Sequence, residues 1–392
     1  MLKKLEQNYK MRILLLHSSS DLYGASKIFL QTVQILKGQG HTCFVVVSSK
    51  GPLVEKLKQV DIPVIVINLG IIRRKYFTPL GIINRINKWR KASIFLNNYI
   101  SKNGIEFVYA NTTAVLLGAY LANKNKIKHI WHVHEIIEKP RFLFRFIQWI
   151  MKHYTTKIIC VSKAVQDHWI KNSPSLQTKI QIIYNGIGPI EKSTSINFKT
   201  HYEIPKEAIV IGMAGRVHFW KGQQYFLQIA KQLLQQNLNT NHTPPIYFII
   251  TGDAFPGYEY LVDEILAFIK ENKLSDRIFY TGFEDQMDKF YSTIDLLILP
   301  SQLPDPLPTV VLEAMQYGIP VVATAQGGAL EMIIENETGI FIPLDDVSAA
   351  TNSIYNLLEN RDQIKMKQKC IERVNTNFSA TVFDNNIANL FH

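Results

Sequence analysis

Three short apolar runs, each closed by a glycine or proline turn and followed by a helix-patterned stretch, restrict this chain most. MRILLLH (residues 11–17) leads into the loop SSSDLYGAS, AIVIGMA (208–214) into GRVHFWKG, and DLLILPS (295–301) into a turn fixed by Pro306 and Pro308. An apolar run of this length is a strand buried on both faces, which requires helices on both sides of a parallel sheet. The first such helix is expected from about residue 25 to 37, with Ile28, Val33 and Leu36 available for burial. Strand and helix patterns alternate throughout, so the fold class is α/β with parallel sheets, and 392 residues suffice for two domains with separate cores. The periodicity breaks over residues 188–205, where we place the linker. The expected division is 1–190, 191–375 and a last helical segment, 376–392.

Chemistry concentrates where the third run ends. In PSQLPDPLPTVVLEAMQYGIPVVATAQGG (300–328), Asp305 and Glu313 stand eight positions apart across the turn into a helix starting near Thr309. The first amides of that helix, at Thr309, Val310 and Val311, together with its dipole, suit a phosphate or a sugar oxygen. The two carboxylates suit hydroxyl groups. Read alone, Glu313 is equally a solvated helix residue and Asp305 a turn former. In GRVHFWKG, Arg216 offers a planar fork and Lys221 a point charge. Alone, a strand-end Arg with a nearby Lys is more often solvated surface; paired with Asp305 and Glu313 it becomes a strong signal. No Asp-x-Asp occurs, and His and Cys are too scattered for a zinc site.

Taken together, Glu313-Ala314-Met315, the run 318–324, Gly327-Gly328 and Glu331 resemble the E-x7-E region of retaining GT-B glycosyltransferases of family 4, the "glycosyl transferases group 1" domain. Asp305 stands where the first Glu is usual, and Pro308 where Gly is common. The resemblance implies two Rossmann-like domains facing across a cleft. The implied reaction is transfer of a sugar from a nucleoside-diphosphate sugar to a hydroxyl, with retention, without metal and without a cofactor. On this resemblance Arg216 and Lys221 stabilise the leaving diphosphate, Glu313 orients the ribose, and Asp305 and His134 orient the sugar. Gly24, Gly215, Leu307, Thr309 and Val310 line the donor. Phe283, after RIFY and Thr281-Gly282, either stacks on the base or belongs to the core. Gly24-Ala25 resembles the family's small-residue pair and equally a plain tight turn. HIWHVHE (129–135) is read as a strand whose end carries His134, with His132 in the core. Glu135 is left open, as a base for the acceptor or a partner of a nearby Lys. A GT-B epimerase or phosphorylase, and a non-catalytic membrane-associated scaffold, are the alternatives.

Charge divides the chain sharply. Up to residue 190 there are 28 Lys and Arg against 8 Asp and Glu; beyond it, 15 against 24. Residues 62–105 hold no acid but carry Arg73, Arg74, Lys75, Arg85, Lys88, Arg90 and Lys91, with Ile82, Ile86, Trp89 and Leu96 at helical spacing. KPRFLFRFIQWIMKHYTTK (139–157) mixes bases with Phe142, Phe144, Phe146, Trp149 and Ile150. Such segments fit an anionic membrane surface, or pack on the sheet with their charges solvated. No nucleic-acid motif is present. The polar start MLKKLEQNYK is not expected to serve as a signal sequence, and three cysteines, an odd number, point to a reducing compartment. The expected location is cytoplasmic, peripheral on the membrane, with a glycan or lipid-linked acceptor in cell-surface polysaccharide assembly.

Overall fold

The computed structural model describes residues 10–22, 24–71, 76, 78–171, 173–190, 197–238, 244–360 and 362–391. Arg73, Arg74 and Lys75 of the basic stretch, and 191–196 of the expected linker, lie outside them. The chain divides into two compact units, residues 1–186 with 381–392, and residues 187–380.

The first unit holds a parallel sheet of β1 (Arg12–His17), β2 (Thr42–Val47), β3 (Val64–Val66), β4 (Phe107–Asn111), β5 (Lys128–Val133), β6 (Lys157–Cys160) and β7 (Ile180–Ile182). Their spatial order is β3-β2-β1-β4-β5-β6-β7. Helices α1 (Gly24–Gly38), α2 (Pro52–Gln59), α3 (Pro79–Asn103), α4 (Leu117–Asn125), α5 (Arg141–Tyr154) and α6 (Lys163–Ile170) cover it. Ile13 to Leu16 are fully buried, as strands with both faces covered must be. Phe29, Val33 and Leu36 of α1 pack with Ile13, Leu15, Val45 and Val47 in one core.

Helix α3 is capped by the Thr78 side chain, which accepts from the Gly81 amide at 3.1 Å, and ends at Gly104 in left-handed conformation. It buries Ala92, Ser93, Leu96 and Ile100 in its second half. The stripe expected from Ile82 to Leu96 is therefore only partly used, since Ile82 and Ile86 are exposed. In α5, Phe144 and Ile150 are buried, whereas Phe142, Phe146 and Trp149 face solvent.

The second unit begins with a short helix, α7 (Phe198–His201), inside the expected linker. Its sheet comprises β8 (Ile209–Ala214), β9 (Ile246–Thr251), β10 (Ile278–Gly282), β11 (Leu296–Leu299), β12 (Val321–Thr324) and β13 (Gly339–Ile342), again parallel, in the order β10-β9-β8-β11-β12-β13. Around it lie α8 (Gln223–Leu238), α9 (Tyr260–Glu271), α10 (Met287–Tyr291), α11 (Thr309–Gln316), α12 (Ala329–Met332), α13 (Val347–Asn360) and α14 (Gln363–Asn377). Helix α14 packs on α11. The last helix, α15 (Ala380–Ala388), closes the core of the first unit with Phe383 and Ile387, and the turn after it adds Leu390 and Phe391.

Both sheets reverse their order once, between β1 and β4 and between β8 and β11. At such a reversal the loops leaving the carboxyl ends of neighbouring strands part to opposite faces and open a crevice, the ligand position of open α/β sheets.

Candidate active site

In the second unit the loops after β8 and β11 are tied together. The Gln302 amide donates to the Trp220 carbonyl at 2.6 Å. Gly222, at φ 83°, lies so close to β11's end that a Cβ there would come within 2.0 Å of the Pro300 carbonyl oxygen. This places Lys221 beside the proline turn, where its Nζ pairs with Asp305 Oδ2. Both side chains are shielded, at 16% and 11% exposure, so this pair is screened far less than a surface one. The turn rests on Gly327 and Gly328. Gly328 donates to the Asp305 carbonyl at 2.7 Å, and a Cβ on Gly327 would stand 2.4 Å from that same oxygen. The glycine pair in the family pattern thus has a packing cause.

Glu313 projects from the second turn of α11. Tyr291, buried at the end of α10, donates its hydroxyl to Glu313 Oε2 at 2.6 Å. Burial and then the Glu313 charge push the phenol pKa well above its ordinary value, so it remains a donor at neutral pH. No motif marks Tyr291; the contact is made between residues 22 positions apart. At the N-terminus of α11, the Val311 amide is already spent on the Pro308 carbonyl at 3.1 Å, which corrects the expectation of three free amides. Those of Thr309 and Val310 have no acceptor among the described residues. Leu307 is buried in the turn.

Arg216 follows Gly215 at the start of the loop that carries Lys221. Its guanidinium lies over the Phe255 ring, 3.3 Å from the centroid. Both cations act on one neighbour: burial, then the charges of Arg216 and Lys221, hold the His218 pKa below its usual value. Gly215, which opens this loop, has nothing within 4 Å of a Cβ built on it. Phe283, just beyond β10, is 64% exposed, which removes the core alternative.

The first unit builds its own polar cluster at the β1/β4 reversal. Ser26 donates to Asp21 Oδ1 at 2.7 Å, and His17 Nε2 meets the Ser26 hydroxyl at 2.9 Å. Asn111 Nδ2 lies 3.0 Å from His17 Nδ1 and 3.1 Å from the Ala25 carbonyl, while Asn111 Oδ1 accepts from His134 Nε2 at 2.9 Å. One assignment satisfies every link: His17 and His134 each carry the proton on Nε2, which leaves His134 Nδ1 as an acceptor. Burial, then His132 and His17, hold the His134 pKa well below 6.5, and burial lowers His17 to about 4. His132 is buried, bonded to the Tyr109 hydroxyl at 2.6 Å, with its ring 4.2 Å from that of His134. Strand β5 stops at Val133, so His134 and Glu135 stand just past its end rather than within it.

Glu135 accepts the amides of Thr113 and His134, each at 3.1 Å. No lysine pairs with it among the described residues, which sets aside that reading. Burial raises its pKa and the amides pull it back. Gly24 opens α1, and a Cβ there would meet nothing within 4 Å. Among the described residues no group of three His, Cys, Asp or Glu is placed to hold a metal ion.

Compared with known proteins, residues 23–189 match the family described as Glycosyltransferase Family 4, and residues 195–376 that described as Glycosyl transferases group 1. Over 372 residues, 91% of this chain and 90% of the relative, the sequence is 23% identical to UDP-Gal:alpha-D-GlcNAc-diphosphoundecaprenol alpha-1,3-galactosyltransferase of Escherichia coli. Over 233 residues, 57% of this chain and 58% of the relative, it is 28% identical to the lipopolysaccharide 1,2-N-acetylglucosaminetransferase of Salmonella typhimurium. The crystal structure of HepE from Anabaena in complex with UDP-glucose superposes with a TM-score of 0.80 at 22% identity, covering 97% of this chain and 99% of that one. At that identity the likeness is one of fold, two Rossmann-like α/β domains of the GT-B kind.

Proposed function

The chain belongs to glycosyltransferase family 4, and we propose that it transfers a sugar from a UDP-sugar, with retention, to a hydroxyl of a lipid-linked glycan during cell-surface polysaccharide assembly. The observation that carries this reading is the shielded Lys221–Asp305 pair at the β8/β11 reversal, beside the helix that presents Glu313. An arriving diphosphate replaces Asp305 as the counter-ion of Lys221 and frees that carboxylate to accept from sugar hydroxyls. Arg216 and the Thr309 and Val310 amides add to the charge stabilisation of the leaving group, so that no metal is called on. Glu313, with one oxygen held by Tyr291, offers the other to the ribose. His134 Nδ1, neutral and an acceptor, takes a sugar hydroxyl. UDP as the nucleotide, and a diphosphate-linked lipid as the acceptor's carrier, follow the Escherichia coli relative named above.

The clamp is tested with Lys221→Ala. Losing a charge-assisted contact to the leaving group costs about 3 kcal/mol in the barrier, a fall of about a hundredfold in kcat. Circular dichroism should be unchanged, and UDP should raise the melting temperature of the wild type more than that of the variant. Near-normal turnover in the variant would refute the assignment.

The basic excess of the first unit is proposed to hold the enzyme on the cytoplasmic face of an anionic membrane. Lys88, Arg90, Lys91 and Arg145 are exposed on α3 and α5, among the exposed apolar residues. No helix among the described residues is long and apolar enough to cross a membrane. Each cation near such a surface contributes about 1 kcal/mol, so the attachment is reversible and salt-sensitive. Cosedimentation should need anionic vesicles, fail at high salt, and be lost when these four residues are changed to Glu. Equal binding to neutral vesicles would sink this part of the reading.

A further inference from the structure

Helix α4 packs against α3 on one side and α5 on the other, and the three helices enclose an apolar groove of about 510 Å³. That lies within the roughly 300–1,000 Å³ typical of small-molecule sites. Its walls are Ile82, Ile86 and Trp89 of α3, Tyr120 of α4, and Phe146 and Trp149 of α5. Ile86 is 52% exposed and Trp149 48%, so the groove opens to water. A contiguous apolar surface of this kind marks a binding site more often than a bare surface.

Charge identifies what covers it. Arg85 stands in the wall, its guanidinium 4.1 Å from the centre of the Tyr76 ring. Its Nε is buried without a hydrogen-bond acceptor, and no carboxylate pairs with it among the described residues. Among the described residues no Asp or Glu lines the groove. A cation in an apolar wall without its own counter-ion favours a ligand that brings an anion together with hydrocarbon. Position adds a second argument: Leu116 lines the groove and lies in the same loop as Thr113, whose amide holds Glu135 beside His134.

We infer that this groove binds the isoprenoid chain of the diphosphate-linked lipid that carries the acceptor sugar, with Arg85 on a phosphate oxygen. The carrier role rests on the lipid-linked acceptor of the preceding section. The site itself is tested by direct binding of a twenty-carbon prenyl monophosphate to the full chain, read by tryptophan fluorescence. Binding should be saturable and should weaken at least tenfold in the exposed-residue variant Ile86→Ser/Phe146→Ser. In Arg85→Ala the preference for prenyl phosphate over prenyl alcohol should disappear. With matched acceptors, the double variant should raise KM for a long-chain lipid-linked sugar and leave KM for a short-alkyl analogue and for the donor unchanged. Unaltered prenyl phosphate binding in the double variant would overturn the proposal. So would equal binding of an ordinary anionic phospholipid, which would make the groove a membrane-docking surface. The binding readout needs no turnover, so a failure of transfer to every lipid-linked acceptor would count against the acceptor reading and not against this site.

Discussion

Tyr291 sets the orientation of Glu313 through one hydroxyl, and its removal separates positioning from chemistry. A hydrogen bond to a charged group contributes about 1.5–3 kcal/mol, so Tyr291→Phe should lower kcat/KM for the donor roughly ten- to hundredfold. Tyr317→Phe is the control, because the Tyr317 hydroxyl serves Asp288 at 2.6 Å and not Glu313. Equal losses in the two variants would show that Tyr291 acts only through the local packing. Asp305 invites a different comparison. Asp305→Asn removes the charge that pairs with Lys221 and should depress turnover with every sugar, whereas Asp305→Glu, one methylene longer, should shift the preference among sugars. Kinetics unchanged in both would place Asp305 outside the site.

Among the elements, glycines decide where the loops sit. Gly222→Ala would press a Cβ against the Pro300 carbonyl at a φ of 83°. It should cost about 1–3 kcal/mol in stability and move Lys221 away from Asp305. Gly24→Ala meets open space, so its melting temperature should match the wild type, and any rise in donor KM reports a ligand occupying that space. A stable Gly222→Ala with full activity would contradict this account of the loop. The strands could be read from sequence because burial on both faces leaves an uninterrupted apolar run, as in MRILLLH and DLLILPS. The Asp305 to Gly328 region was legible because its proline and glycine positions answer to local backbone demands. Tyr291 and the links that Asn111 makes to His17, Ala25 and His134 were not, because they join residues 22 to 94 positions apart and leave no spacing to detect. What the α3 stripe faces was left open for a related reason: helical periodicity reports that an apolar stripe exists, not what covers it.

At the scale of the whole molecule, the two units differ in how they meet acid. His17, His129 and His132 all lie in the first unit and are buried, and burial lowers their pKa from 6.5 to about 4, 3 and 3 respectively. A buried neutral histidine binds no proton in the folded state while the unfolded chain does, so its contribution is fully present above pH 6.5 and is lost as pH falls towards the folded pKa. Between pH 6.5 and 5 each such residue withdraws up to about 2 kcal/mol. Glu135, also in the first unit, works in the opposite sense: its raised pKa favours the folded state at low pH and offsets part of the loss. Among the described residues of the second unit the lowered histidine is His218, which is not in the core, so the same change of pH should act there weakly. Calorimetry from pH 7 to 5 should therefore move a transition assigned to the first unit down by about 10 °C. The transition stabilised by UDP should shift much less. His132→Gln should flatten the dependence of the first transition. A parallel shift of both transitions, or an unchanged slope in His132→Gln, would show that carboxylate titration and not histidine burial governs the acid response.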